Sequence, residues 1–257
     1  MDSLQSYTNF CNNPYRHGWE SLLLAEQENR CCYCMRRIEQ GETSVEHVIP
    51  ESFTNLVEAD EYAFYTQHSP ILSDHVELAS VFAQYPNLTD QYIDTVQKLP
   101  HLVAYANLMA ACKGVSGNDE KGCCCNNVRG NKRILPLPLM SDAAQYVEYD
   151  EDGRISINFP ADKKLASQTI STLQLNLDTL KDVRSLWHLA SKTAYTSDDI
   201  AGMDINARRE LFCLMFQRDD VTTIDERYRK YIAPANETYW KIFLKYDWFL
   251  GYYRARA

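Results

Sequence analysis

The sequence predicts an α+β chain, mainly helical, with a small metal-stapled unit in its first half. Three observations carry this. Apolar residues recur at helical spacing over 18–29, through much of 53–99 and along most of the chain after Pro160. Short alternating runs separated by turn residues mark strand pairs within 35–48 and 145–159. Seven of the nine cysteines fall in two clusters: Cys31, Cys32 and Cys34, then Cys112 with Cys123, Cys124 and Cys125.

Taken in order, GWESLLLAEQEN (18–29) reads as a helix with Trp19, Leu22 and Leu23 on one face, running straight into Cys31. Met35–Ile38 and Thr43–Val48 are strand candidates. Glu39-Gln40-Gly41-Glu42 turns between them, because glycine accepts positive φ, and Pro50 ends the second strand. Residues 53–99 read as two or three helices. Ser69-Pro70 separates them, with Ser73 or Asp74 as cap, and so does Pro86-Asn87, with Thr89 or Asp90 as the next cap.

HLVAYANLMAAC (101–112) is apolar around the single Asn107, and KGVSGNDEKG (113–122) is a polar, glycine-rich loop. CCCNNVRGNKR then allows one helical turn before Pro136 and Pro138. Residues 145–150 and 154–159 form a hairpin over Glu151-Asp152-Gly153. Beyond it a helix from Asp178 places Leu180, Val183, Trp187 and Ala190 on one face. The tail from Asn236 carries Tyr239, Ile242, Phe243, Tyr246, Phe249 and Leu250 at helical spacing, a stripe expected in the core or against a partner. A boundary is expected near residue 140, giving units 1–140, with an insertion at about 51–100, and 141–257.

With 257 residues the chain suffices for one large domain or two modest ones, and its apolar (45%) and charged (24%) shares are ordinary. No apolar run is long enough to span a membrane, and MDSLQSYTNF lacks the basic and apolar regions of a signal peptide, so a cytoplasmic protein is expected. In that reducing compartment clustered cysteines point to metal or redox chemistry rather than disulfides. Cys11 and Cys213 stand alone and read as small buried side chains.

The net charge of −9 argues against a free-standing, sequence-indifferent nucleic-acid binder. Residues 51–100 hold eight acidic residues against the single base Lys98, and read as an insertion with a solvated or partner-binding outer face. Residues 113–133 are locally basic through Lys113, Lys121, Arg129, Lys132 and Arg133.

Structural zinc takes four ligands in a tetrahedron, usually as two close pairs. Cys31 and Cys34, spaced C-x-x-C, supply one pair; Cys112 and one of Cys123, Cys124 or Cys125 supply the other. A redox C-x-x-C is the alternative, weakened by the lack of a neighbouring βαβ pattern. Glu46-His47 adds a carboxylate for a hard cation beside an imidazole that can take a proton from water, the pairing that metal-assisted phosphodiester hydrolysis needs. Adjacent strand residues point to opposite faces, so both can serve one centre only where the strand ends or bends. Pro50 allows that.

The string Cys31-x-x-Cys34, Glu46-His47-Val48-Ile49-Pro50, Asn107-Leu108, Cys112 and Cys125-Asn126-x-x-Arg129-Gly130 resembles the HNH endonuclease pattern over about residues 28–133. The resemblance implies a ββα-metal core in which Cys31, Cys34, Cys112 and Cys125 bind zinc. It implies that Glu46 and Asn126 hold a catalytic Mg²⁺ or another divalent cation, with Asn127 as the substitute for Asn126. His47 would be the general base, Asn107 would hold the catalytic loop, and Arg129, Lys132 and Arg133 would grip DNA phosphates. The sequence departs from the compact motif in its long gap from His47 to Asn107 and its expanded loop after Cys112. His17, His68, His75, His101 and His188 match no motif position and read as surface or satisfied core.

Details around the motif resemble more closely the HNH nuclease subunit of Septu and retron-associated antiphage defence systems, which work with an ABC/SMC-like ATPase. These details are Trp19 ahead of C-x-Y-C, Leu99-Pro100-His101 with Ala104-Tyr105-x-Asn107-Leu108, and the helical tail. A non-catalytic zinc module binding nucleic acid or protein is the competing expectation.

Overall fold

The computed structural model describes residues 18–50, 59–85, 90, 93, 96–97, 100–114, 124–234 and 237–257. Cys11, His17, Pro86, Asn87, Thr89, Cys123 and all but the start of the 113–122 loop lie outside them. The described chain is mainly helical, with two small two-stranded sheets.

Helix α1 (Trp19–Glu26) packs on strand β2 (Leu108–Cys112) through Leu23 and Leu24, while Leu22 is 53% exposed. The expected face was therefore rotated by one position. Trp19 is half-buried against the core, stacked on Tyr85 and edge-on to Tyr105. Just past the helix, Gln27 reads the backbone of β2 as a strand would. Its Nε2 donates to the Ala110 carbonyl at 2.9 Å and its Oε1 accepts from the Ala110 N–H at 2.8 Å.

Strand β1 (Thr43–His47) does not pair with 35–38. It runs antiparallel to β2, from Thr43 opposite Cys112 to His47 opposite Leu108. The backbone donors of the expected partner are engaged elsewhere: Arg37 N–H bonds the Lys245 carbonyl at 2.7 Å and Ile38 N–H bonds the Asn29 carbonyl at 2.8 Å. Residues 31–36 form a tight knuckle, with Cys31 N–H on the Arg36 carbonyl and Met35 at φ +63°.

The insertion contains α2 (Ala59–His68), α3 (Pro70–His75) and α4 (Leu78–Gln84). Ser69 caps α3, accepting from Leu72 N–H, while Ser73 and Asp74 lie inside that helix. The inner face is apolar: Tyr65, Leu72, Val76, Val81 and Tyr85 share a core with Val48, Ile49, Leu102 and Val103. The insertion is thus packed directly onto the end of β1. Helix α5 (Pro100–Val103) and a 3₁₀ turn at Tyr105–Asn107 lead into β2, and α6 (Asn126–Arg129) follows the second cysteine cluster.

Helix α7 (Ala143–Tyr146) precedes the expected hairpin, β3 (Val147–Tyr149) with β4 (Ile155–Ile157), which turns through Gly153 at φ +76°. Then come α8 (Lys163–Thr172), α9 (Asp178–Ser191), α10 (Ser197–Ala201), α11 (Ile205–Phe216) and α12 (Glu226–Arg229). Leu180, Val183, Trp187 and Ala190 of α9 are buried as the periodicity predicts. The aromatic tail is two helices, α13 (Glu237–Leu244) and α14 (Trp248–Arg254). At the break between them, the Asp247 carboxylate pairs with Arg30 and Arg37. The largest core joins Cys31, Cys34, Cys112 and Cys125 to Trp187, Phe243, Tyr246 and Phe249, so it takes side chains from both sides of residue 140. Among the described residues no helix is long and apolar enough to cross a membrane.

Candidate metal centre and adjoining cleft

Cys31, Cys34, Cys112 and Cys125 converge: their sulfurs all lie within 4.8 Å of one another and all four residues are buried. A tetrahedral zinc with bonds of about 2.3 Å would space sulfurs about 3.8 Å apart, and the Cys34 and Cys112 sulfurs are 3.8 Å apart. The donor set therefore fits zinc, which favours thiolates. The geometry selects Cys125 over Cys124, which is buried beside the cluster but outside the group of four. Hydrogen bonds from Cys112, Cys124 and Cys125 hold the Cys34 thiol well below its ordinary value. Burial opposes ionisation of Cys31, but hydrogen bonds led by Cys112 outweigh it.

Three elements bring the thiols together. The knuckle presents Cys31 and Cys34, β2 ends at Cys112, and Cys125 stands at the mouth of α6. Cys125 has φ +58° and ψ −136°, a conformation rare for any residue with a side chain, and its N–H is anchored on the Leu173 carbonyl at 2.9 Å.

Alongside lies a cleft of about 180 Å³, lined by Val45, Glu46, His47, Pro50, Asn126, Gly130 and Asn131. Glu46 and His47 reach it together because β1 ends at His47, removing the alternation that a longer strand would impose. The His47 Nε2 faces the Leu102 carbonyl at 3.2 Å. A carbonyl only accepts, so this contact puts a proton on Nε2, and in the neutral form of the ring the lone pair is then on Nδ1. Asn107 is fully buried and grips the segment after His47. Its Oδ1 accepts from Ile49 N–H at 2.7 Å, and its Nδ2 donates to the carbonyls of Ile49 and His101. It thus holds the loop, while the imidazole itself is oriented by Leu102.

Asn126 opens α6 and donates from Nδ2 to Ser44 Oγ at 3.2 Å, which ties the helix to β1. Asn127 is exposed, bonds the Lys113 carbonyl and does not line the cleft. Gly130 ends α6 at φ +54° with ψ −135°, the same region that Cys125 occupies and one that glycine enters without the cost of a Cβ.

Arg129 is not a phosphate contact. Its side chain is wholly buried in an ion pair with Glu46. Tyr33, from inside the knuckle, donates to the same Glu46 oxygen at 2.7 Å, and burial with the nearby Glu46 charge pushes the Tyr33 hydroxyl well above its ordinary value, so it remains a donor. Lys132 is exposed and Arg133, half-buried, lies over the Phe64 ring at 4.8 Å. Of the remaining histidines, His68 bonds the Phe64 carbonyl within its own helix at 2.7 Å, and burial pulls the ring of His188 below its ordinary value.

The sequence reading missed Tyr33, Tyr65 and the Leu102 carbonyl. An aromatic inside C-x-Y-C was the available signal for the first; a backbone carbonyl leaves none. Comparison with protein-family models, curated proteins and solved structures found no match for this chain.

Proposed function

We propose that the chain is a metal-dependent endonuclease of the HNH type that hydrolyses phosphodiester bonds of DNA. The observation that carries the reading is the meeting of Glu46, His47 and Asn126 on one small cleft beside a four-thiol centre. Zinc at that centre would staple the knuckle, the end of β2 and the start of α6, fixing the two sides of the cleft relative to each other.

In this reading His47 is the general base: Leu102 sets its tautomer, and the lone pair on Nδ1 takes the proton of the attacking water. Asn107 keeps the residues after His47 in place. Glu46 and Asn126 offer the oxygens that would hold Mg²⁺, a hard cation that takes few protein ligands and keeps several waters. When bound, that cation supplies charge stabilisation to the phosphate and the leaving oxygen. Lys132, exposed and next in sequence to Asn131 of the cleft lining, is suited to a backbone phosphate. With a net charge of −9 and Arg129 buried, the chain would draw DNA affinity from a partner, which fits a nuclease effector of antiphage defence working with an ABC/SMC-like ATPase.

The test is hydrolysis of supercoiled DNA and of RNA with Mg²⁺, against chelator and Glu46→Gln, alone and with an ATPase encoded beside it. Metal-dependent cutting lost in Glu46→Gln supports the reading. One observation favours a second reading, a non-catalytic zinc module: the Glu46 carboxylate is already paired with Arg129, as in a purely structural ion pair. That reading predicts zinc without hydrolysis under any of these conditions.

A further inference from the structure

The guanidinium of Arg129 joins four segments. Nη1 donates to the Glu46 carboxylate, to the His47 carbonyl at 2.9 Å and to Tyr33 Oη at 3.3 Å. Nη2 donates to the Val48 carbonyl at 2.6 Å and to Tyr65 Oη, on α2 of the insertion, at 3.2 Å. Nε faces the Lys132 carbonyl at 3.4 Å. Such a fork of donors in one plane is a property of arginine; an ammonium carries three donors on a single nitrogen and cannot serve acceptors spread this way.

Burying this pair costs desolvation of both charges, so its presence at the cleft calls for more than packing. The pattern on Glu46 is one-sided. Arg129 and Tyr33 both donate to Oε1, and Oε2 takes neither. The same guanidinium holds the carbonyls of His47 and Val48, the two residues that carry the strand out of the sheet.

We propose that Arg129 is a positioning residue for the divalent-cation site: it pins Glu46 by one oxygen, turning the other toward the cleft, and fixes the backbone of His47 and Val48 in the same grip. The inference rests on the endonuclease reading for its role in cutting, but its metal-binding part stands independently. Through Tyr65 the grip extends to α2, so the insertion is mechanically part of the site it interrupts in sequence.

The experiment measures Mn²⁺ binding by electron paramagnetic resonance and Mg²⁺-dependent cleavage for the full chain, Arg129→Lys, Tyr33→Phe and Glu46→Gln, each checked for zinc content and cooperative melting. Arg129→Lys keeps the charge and loses the fork. It is expected to weaken Mn²⁺ binding by about tenfold or more and to raise the Mg²⁺ concentration for half-maximal cleavage, with KM for DNA within about twofold of the parent, because Arg129 does not reach the substrate. Unchanged Mn²⁺ affinity in a folded Arg129→Lys overturns the proposal, as does a raised KM with unaltered metal dependence. If Arg129→Lys fails to fold, Tyr33→Phe decides, since it removes the other Oε1 donor without moving charge; unchanged Mn²⁺ affinity there is equally fatal. A parent that binds Mn²⁺ through Glu46 but cuts nothing, alone or with an ATPase encoded beside it, overturns the endonuclease reading and leaves this one in place. A parent with no Glu46-dependent Mn²⁺ binding overturns both.

Discussion

Asn107 holds Ile49 by both of its backbone groups, accepting the N–H at 2.7 Å and donating to the carbonyl at 3.1 Å. A third bond runs from its amide to the His101 carbonyl at 2.8 Å. One buried side chain thereby ties the exit of β1 to the turn before β2. Asn107→Ala removes all three of these bonds to buried backbone, and a buried polar group left unsatisfied costs about 1–3 kcal/mol. Urea denaturation should show a loss of about 2–4 kcal/mol. A loss under about 0.5 kcal/mol would mean that water replaces the amide and that Asn107 does not hold the loop.

The cysteine centre makes a selective prediction. Elemental analysis should give one zinc per chain, retained in Cys124→Ser and lost in Cys125→Ser, because only Cys125 belongs to the converging four. Chelation should lower the melting temperature of the parent, since metal binding to a site absent from the unfolded chain stabilises the fold. Zinc retained in Cys125→Ser but lost in Cys124→Ser would reverse the assignment.

The Glu46–Arg129 pair predicts an asymmetry between breaking and replacing it. Arg129→Met strands a buried carboxylate and should cost about 3–5 kcal/mol, whereas the double variant Arg129→Met with Glu46→Leu should recover most of that stability. Additive losses in the double variant, read from the same denaturation curves, would mean that the two side chains do not act as a pair.

Gly153 is fixed by its neighbours as well as by its φ of +76°. A Cβ there would meet the Lys181 carbonyl oxygen at 2.1 Å and Ser185 N at 2.8 Å, both in the backbone of α9. Because a helix backbone cannot yield as a side chain can, Gly153→Ala should destabilise by about 2–4 kcal/mol, above the cost of the turn conformation alone. Melting within about 2 °C of the parent would show that the hairpin can pull away from α9 at little cost.

What could be read ahead of the structure follows from the range of each interaction. Cys31 and Cys34 were legible because three residues fix their geometry, and α9 because Leu180, Val183, Trp187 and Ala190 repeat along one face. The hairpin over Gly153 announced itself in its turn residues. The partner of β1 did not: Met35–Ile38 has a strand-like local pattern, yet Asn29 and Lys245 take its backbone donors, the second from more than 200 residues away. The break between α13 and α14 is invisible in a spacing that stays helical across it, and is set by Asp247 with Arg30 and Arg37. Arg129 read as a phosphate ligand because a one-turn helix has too little periodicity to reveal which way a basic side chain faces.

The most direct measurement compares the parent with His47→Ala in Mg²⁺-dependent nicking of supercoiled plasmid, at matched zinc content and melting temperature, alone and with any ATPase encoded beside it. With His47 as the general base, the variant should keep its zinc and its fold and lose cleavage by about a hundredfold or more. Equal cleavage by the two proteins would contradict the account.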